Sequence, residues 1–334
     1  MNNFEQQSTN EILQTAEIVK QRFSRIGLFA SAFLMLGNVI APMLIIYALV
    51  TFLKVPIMSL LSGNAMYLIT YGGLYLIALP VAYLFIAGVP PMPQIKENNI
   101  KYSFSQLVQI SVIMLGVNYI FSLLTGLLQE ALPFLQDSYD SAIEGMLTNN
   151  FLLAFLIVVV IAPIMEEVLF RKMILSRLQG FGDLFAIVAC GLFFGLFHCM
   201  LTQFFFATAF GIILSYVTLR TGNIKLAVFL HFLNNFISFM LSAATLTLPE
   251  ATSEKILVAF GVFTLSMIMG AVVLLLRNRQ NIVLEKSRIT FYGMQPSALF
   301  YSSIGVVVYF ITSFALTFFA TQIVVFLMRF IPFV

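Results

Sequence analysis

Nine stretches of this chain are apolar for about 17 residues or longer, near 26–53, 66–89, 106–129, 149–178, 184–201, 203–219, 224–244, 255–276 and 297–330. A run of that order, wound as a helix, matches the roughly 30 Å hydrocarbon layer of a bilayer. Helices and closed barrels are the only structures that satisfy every backbone polar group there. The fold class that follows is all-α, a polytopic transmembrane helix bundle of about nine spanning helices in contact with the lipid bilayer. Composition agrees, because 60% of the residues are apolar and only 9% charged, a balance foreign to soluble domains. The last run, broken only by Arg329, reads as one tilted helix.

Charge narrows the partners and sets an expected orientation. A net charge of +3 is too small, and its basic residues too scattered, for a nucleic-acid partner. With a cytoplasmic N-terminus the inner side holds Lys20, Arg22, Arg25, Lys96, Lys101, Arg171, Lys172, Arg177, Arg220, Lys225, Arg277, Arg279, Lys286 and Arg288. The outer side then holds Lys54, Lys255 and Arg329, and the positive-inside rule selects this arrangement. The acidic residues Glu130, Asp137, Asp140 and Glu144 face outward, as do Glu250 and Glu254. The expected localisation is an integral, multi-pass protein of a bacterial cell membrane. Residues 1–25 lack the pattern of a secretory signal and are expected to be retained. There Ile12, Leu13, Ala16, Ile18, Val19 and Phe23 nearly share a helical face, so the segment reads as cytoplasmic or interfacial. Cys190 and Cys199 would lie about 13 Å apart on one helix and cannot bridge each other.

Within this apolar background, Ala162 to Arg171 places Glu166, Glu167 and Arg171 inside one run. An ionisable group within a transmembrane helix costs several kcal/mol unless paired or wet, and so marks a functional site by default. Glu167 and Arg171 are four apart with the acid first, the spacing and order at which an ion pair forms on a helix. They are assigned to each other as a structural pair, which leaves Glu166 free to act as a general base. Neighbouring residues point about 100° apart, so Glu166 and Glu167 are not expected to face one cavity. The chain has two histidines, His198 and His231, and both fall inside apolar runs. Phe194 shares a face with His198, and His231 with Asn235. Gly191 and Gly195 precede His198 in the small-x-x-x-small spacing that lets helix backbones approach. Counted from the turn at 180–183, Glu166 and His198 both lie roughly 20 Å along their helices, provided that the Glu166 helix continues past Arg171.

The ordered set Glu166-Glu167-x-x-x-Arg171, Phe194-x-x-x-His198 and His231-x-x-x-Asn235 resembles the three motifs of the CPBP family. That family comprises the type II CAAX prenyl endopeptidases and the Abi, or bacteriocin-processing, intramembrane proteases. The resemblance runs from about Asn149 to Ala244. It implies a peptide-bond hydrolase in which Glu166 and His198 activate a water while His231 and Asn235 stabilise the oxyanion. On this reading residues 1–25 form an N-terminal segment, 26–148 accessory transmembrane helices, 149–245 the catalytic core and 246–334 C-terminal accessory helices. The substrate is a membrane-associated peptide or lipidated peptide; the oligomeric state is not assigned.

The resemblance also raises a metal. Glu166, His198 and His231 would offer zinc a two-histidine, one-carboxylate set with an open position. Because HExxH is absent and Asn235 is a poor zinc ligand, no cofactor is favoured and zinc stands as the alternative. Asp137, Asp140 and Asp183 fall in loops or at a helix border, which argues against an aspartyl protease, and no G-x-S-x-G elbow appears. The alternative from another class is a non-proteolytic scaffold, immunity or proton- or ion-conducting protein using the same buried polar cluster.

Overall fold

The computed structural model describes residues 3–60, 63–93, 102–131, 147, 150–287 and 295–328, and among them every regular element is a helix. Among the described residues, seven helices are long and apolar enough to cross a membrane: α1 Thr15–Leu53, α2 Asn64–Tyr83, α3 Phe104–Ala131, α4 Phe151–Phe181, α6 Leu201–Thr221, α7 Lys225–Thr247 and α8 Glu250–Asn281. Between α4 and α6 lies the shorter α5, Asp183–Phe197. The final run forms two helices instead of one, Pro296–Tyr301 and α9, Ile304–Met328. Ser302 and Ser303 separate them, their hydroxyls donating back to the carbonyls of Leu299 and Phe300, the side-chain competition that ends a helix. Lys96, Lys101, Asp137, Asp140, Glu144, Asn149, Arg288 and Arg329, used in the orientation and motif readings, lie outside the described residues.

Three helices carry a wide turn at the same place relative to a proline. Leu36–Ile40, Gly73–Ala78 and Leu156–Ile161 are π-helical, and Pro42, Pro80 and Pro163 each follow two residues after the widened stretch ends. Proline has no N–H and its ring strikes the carbonyl four residues earlier. Widening the ladder to five residues relieves that clash without breaking the helix. At the end of each stretch the backbone N–H of Ala41, Leu79 and Ala162 bonds five residues back, to Leu36, Leu74 and Ile157.

By packing, the chain divides into two compact units, one of Met1–Ile95, Gly180–Phe185 and Lys286–Val334, the other of Lys96–Gln179 and Ala186–Glu285. In the first, α1 and α9 approach so closely that a Cβ on Gly27 would strike the Gly305 backbone. Phe23 sits among Phe181, Phe185 and Phe300, with ring centroids 4.8, 5.7 and 5.3 Å away. Arg25 Nε donates to Phe85 O at 2.8 Å, and Arg22 to the carbonyl of Pro90. The helix to which the α1 span belongs begins at Asn3 and runs without a break past residue 25, with Val19 and Phe23 buried. The face expected to rest on a membrane surface is thus partly spent on packing, Phe23 against Phe181, Phe185 and Phe300. In the second unit α3 packs along α6 and α8, and α4 lies against α7.

Candidate active site

All the polar groups singled out in the sequence belong to the second unit, on α4, on α7 and in the turn that follows α5. α4 continues well past Arg171, to Phe181, as the depth argument requires. Glu167 and Arg171 are fully buried and paired, Oε2 to Nε 3.1 Å. The guanidinium also donates through Nη2 to Gly211 O at 3.2 Å and lies 4.9 Å from the centre of the Phe194 ring. A cation over an aromatic face in a dry setting is favourable by about 2 kcal/mol or more.

Glu167 does more than neutralise Arg171. Its Oε1 lies 2.9 Å from His231 Nδ1, while Glu166 Oε2 lies 3.8 Å from Nε2 of the same ring. The two carboxylates were expected to serve different surroundings. Their side chains do diverge, but the imidazole stands between them and offers each a different edge. A carboxylate can only accept, so His231 Nδ1 carries the proton and Nε2, in the neutral ring, presents a lone pair toward Glu166. Glu166 Oε2 is buried and makes no hydrogen bond.

His198 is reached differently. α5 ends at Phe197, earlier than the expected 201, because Cys199 takes a left-handed φ of 49° and Met200 is extended. The histidine therefore sits in the reversal between α5 and α6, with its Nδ1 donating to Phe194 O at 2.9 Å. Its Nε2 likewise keeps a lone pair. The Phe194 ring meets both imidazoles edge-on, 5.0 Å from His198 and 5.7 Å from His231. Phe210 closes on His231 at 5.2 Å. Gly191 and Gly195 let α5 approach α6, where added Cβ atoms would meet Ile212, Thr208 and Phe204. Among the described residues it is His231, and not His198, that the carboxylates approach.

Asn235 is anchored by the proline in α4. In the five-residue register the donor to Val158 O would be the nitrogen of Pro163, which has no hydrogen, and Asn235 Nδ2 donates to that carbonyl at 3.0 Å instead. Its Oδ1 accepts from Asn234 Nδ2 at 3.2 Å, and Asn234 Oδ1 accepts from Asn118 Nδ2 at 2.8 Å. Asn118 on α3 and Asn234 were not among the residues singled out in the sequence. A lone buried amide in an apolar run is the only sign the sequence gives of Asn118.

Zinc coordination by Glu166, His198 and His231 can be checked against these positions. Both imidazoles donate Nδ1–H to an oxygen, as metal-bound histidines do. However, no three His, Cys, Asp or Glu side chains among the described residues stand together closely enough to hold one ion. Glu166 and His231 make two donors where a catalytic zinc takes three. The set as arranged does not fit the metal.

Residues 148–237 match the family model of the type II CAAX prenyl endopeptidase Rce1-like proteins, so the likeness of the three motifs extends over that segment. The match covers well under half of the chain and includes every residue of the cluster except Asn118. No curated protein and no solved structure matches the chain.

Proposed function

We propose that this integral membrane protein is an intramembrane endopeptidase that hydrolyses a peptide bond of a membrane-associated peptide or lipidated peptide, with a glutamate and no metal activating the water. The observation that carries this reading is the unbonded Glu166 Oε2 facing His231 Nε2 across 3.8 Å, inside a buried and otherwise aromatic setting. An oxygen about 2.8 Å from each would be held by both. The likeness of residues 148–237 to a family of prenyl endopeptidases supports the same chemistry.

In this mechanism a water held between Glu166 Oε2 and His231 Nε2 donates one hydrogen bond to the carboxylate and the other to the lone pair of the imidazole. Glu166 takes the first proton as the oxygen adds to the scissile carbonyl carbon. The oxyanion that forms receives the second Nδ2 proton of Asn235, the first being held on Val158 O. His231, its Nδ1 proton held by Glu167 Oε1, keeps Nε2 as the acceptor that orients the water. A donor aimed at an oxyanion in a dry site contributes roughly 3 kcal/mol to the transition state. Collapse of the intermediate breaks the C–N bond and returns the Glu166 proton to the leaving amine.

The short α5 supports access of water. Its 15 residues span about 22 Å, less than the hydrocarbon layer. The irregular backbone at His198–Met200 would then fall at membrane depth, where it is tolerated only inside protein or beside water.

The test compares membrane proteomes of cells carrying the native protein with those carrying Glu166→Gln or His231→Ala at equal abundance. Accumulation of an uncleaved membrane peptide in both variants is expected. Identical proteomes with folded variants would sink the hydrolase reading.

A further inference from the structure

Asn118, Asn234 and Asn235 form a chain of side-chain amides that ends on a backbone carbonyl. Its direction is fixed from that end. Val158 O can only accept, so Asn235 must turn its NH2 toward it and its Oδ1 toward Asn234. Asn234 must then present its own NH2 to Asn235, which leaves its Oδ1 for the NH2 of Asn118. No member can flip alone without setting oxygen against oxygen or leaving a donor unpaired. Asn118 is only 5% exposed. A buried amide in an apolar helix is costly unless bonded; among the described residues the Asn118 Oδ1 makes no hydrogen bond, and its NH2 is spent on holding the next amide in one orientation.

We infer that Asn118 is a positioning residue for the proposed oxyanion site, setting through Asn234 the rotamer of Asn235 and hence the aim of its second Nδ2 proton. The inference rests on the endopeptidase reading and extends the site to α3, outside the segment 148–237 that matches the prenyl endopeptidase model. Each amide polarises the next, so the chain also makes the terminal NH2 a better donor than an isolated asparagine.

The experiment first identifies, as above, a membrane peptide whose cleavage is lost in Glu166→Gln, then uses that peptide as the probe in proteoliposomes. Asn118→Leu and Asn234→Leu should each lower kcat roughly 10- to 100-fold with KM changed less than about twofold, the cost of a misaimed group. In the background of Asn235→Ala, adding Asn118→Leu should cost nothing further, because a residue acting through Asn235 has nothing left to act on. Asn118→Ala, which removes the amide without adding volume, replaces the leucine variant should that one fail to fold. Unchanged kcat in folded Asn118 variants, or losses that add to that of Asn235→Ala, would show that Asn118 only ties helices together, and would overturn this inference while the endopeptidase reading stands. If no cleavage depends on Glu166, the endopeptidase reading falls and the positioning role with it.

Discussion

Glu166 and Glu167 touch one imidazole, yet their replacement should have opposite consequences. Glu167 is the counter-ion of a fully buried guanidinium and the acceptor of the His231 Nδ1 proton. Its loss as Glu167→Ala leaves Arg171 charged and unpaired in the bundle, a change that costs about 3–5 kcal/mol. Glu166 has no such obligation, so Glu166→Gln should unfold within about 1 kcal/mol of the native protein while abolishing cleavage. Thermal unfolding in detergent, run beside the cleavage assay, separates the two; a stable Glu167→Ala would contradict the buried-pair account. Because only two donors face each other among the described residues, cleavage should also persist after treatment with a strong chelator and dialysis, checked by metal analysis of the purified protein. The sequence made Glu166, Glu167, Arg171 and both histidines legible, since ionisable groups in apolar runs are expensive. That Glu167 serves Arg171 and His231 together was not legible, because spacing along α4 says nothing of what α7 presents.

At the scale of the helix, Pro163 is the part of α4 that creates the seat for Asn235. Restoring an N–H with Pro163→Ala allows the ladder to close on Val158 O, or to tighten to an ordinary α-helical register. Asn235 then competes for a carbonyl that already has a donor. The expected outcome is a protein at least as stable as the native one, with cleavage reduced by roughly 10-fold or more through the misplaced amide. Unfolding temperature and kcat measured on the same preparation decide this; an unaltered kcat would detach the proline from the site. The prolines were visible in the sequence, but the carbonyl that each one frees becomes meaningful only when a neighbouring helix is seen to use it. The end of α5 at Phe197 was hidden for a related reason. Cys199 adopts a left-handed conformation that ordinarily favours glycine, and no residue type there announces it.

At the scale of the whole chain, the apolar runs made the helical architecture legible, whereas the grouping of helices into units was not. α3 and α8 flank α4–α7 at opposite ends of the sequence, and their packing on each other depends on lateral contacts that hydropathy does not encode. Orientation is the remaining property of the chain as a thread. Arg171 is consumed by Glu167 and drops out of the count, but the basic residues flanking the runs still favour a cytoplasmic N-terminus. The excursion through α5 and back through α6 returns the chain to the same side even if α5 is too short to cross fully. With Cys190 and Cys199 replaced by alanine, a single cysteine at Ser59→Cys or Thr252→Cys should therefore react with an impermeant maleimide in intact cells. One at Asn281→Cys should react only after permeabilisation; all three positions are exposed. The reverse labelling pattern would place the N-terminus outside and reject the charge argument, and labelling of Ser59→Cys and Asn281→Cys from the same side would mean that the spans between them do not alternate as proposed.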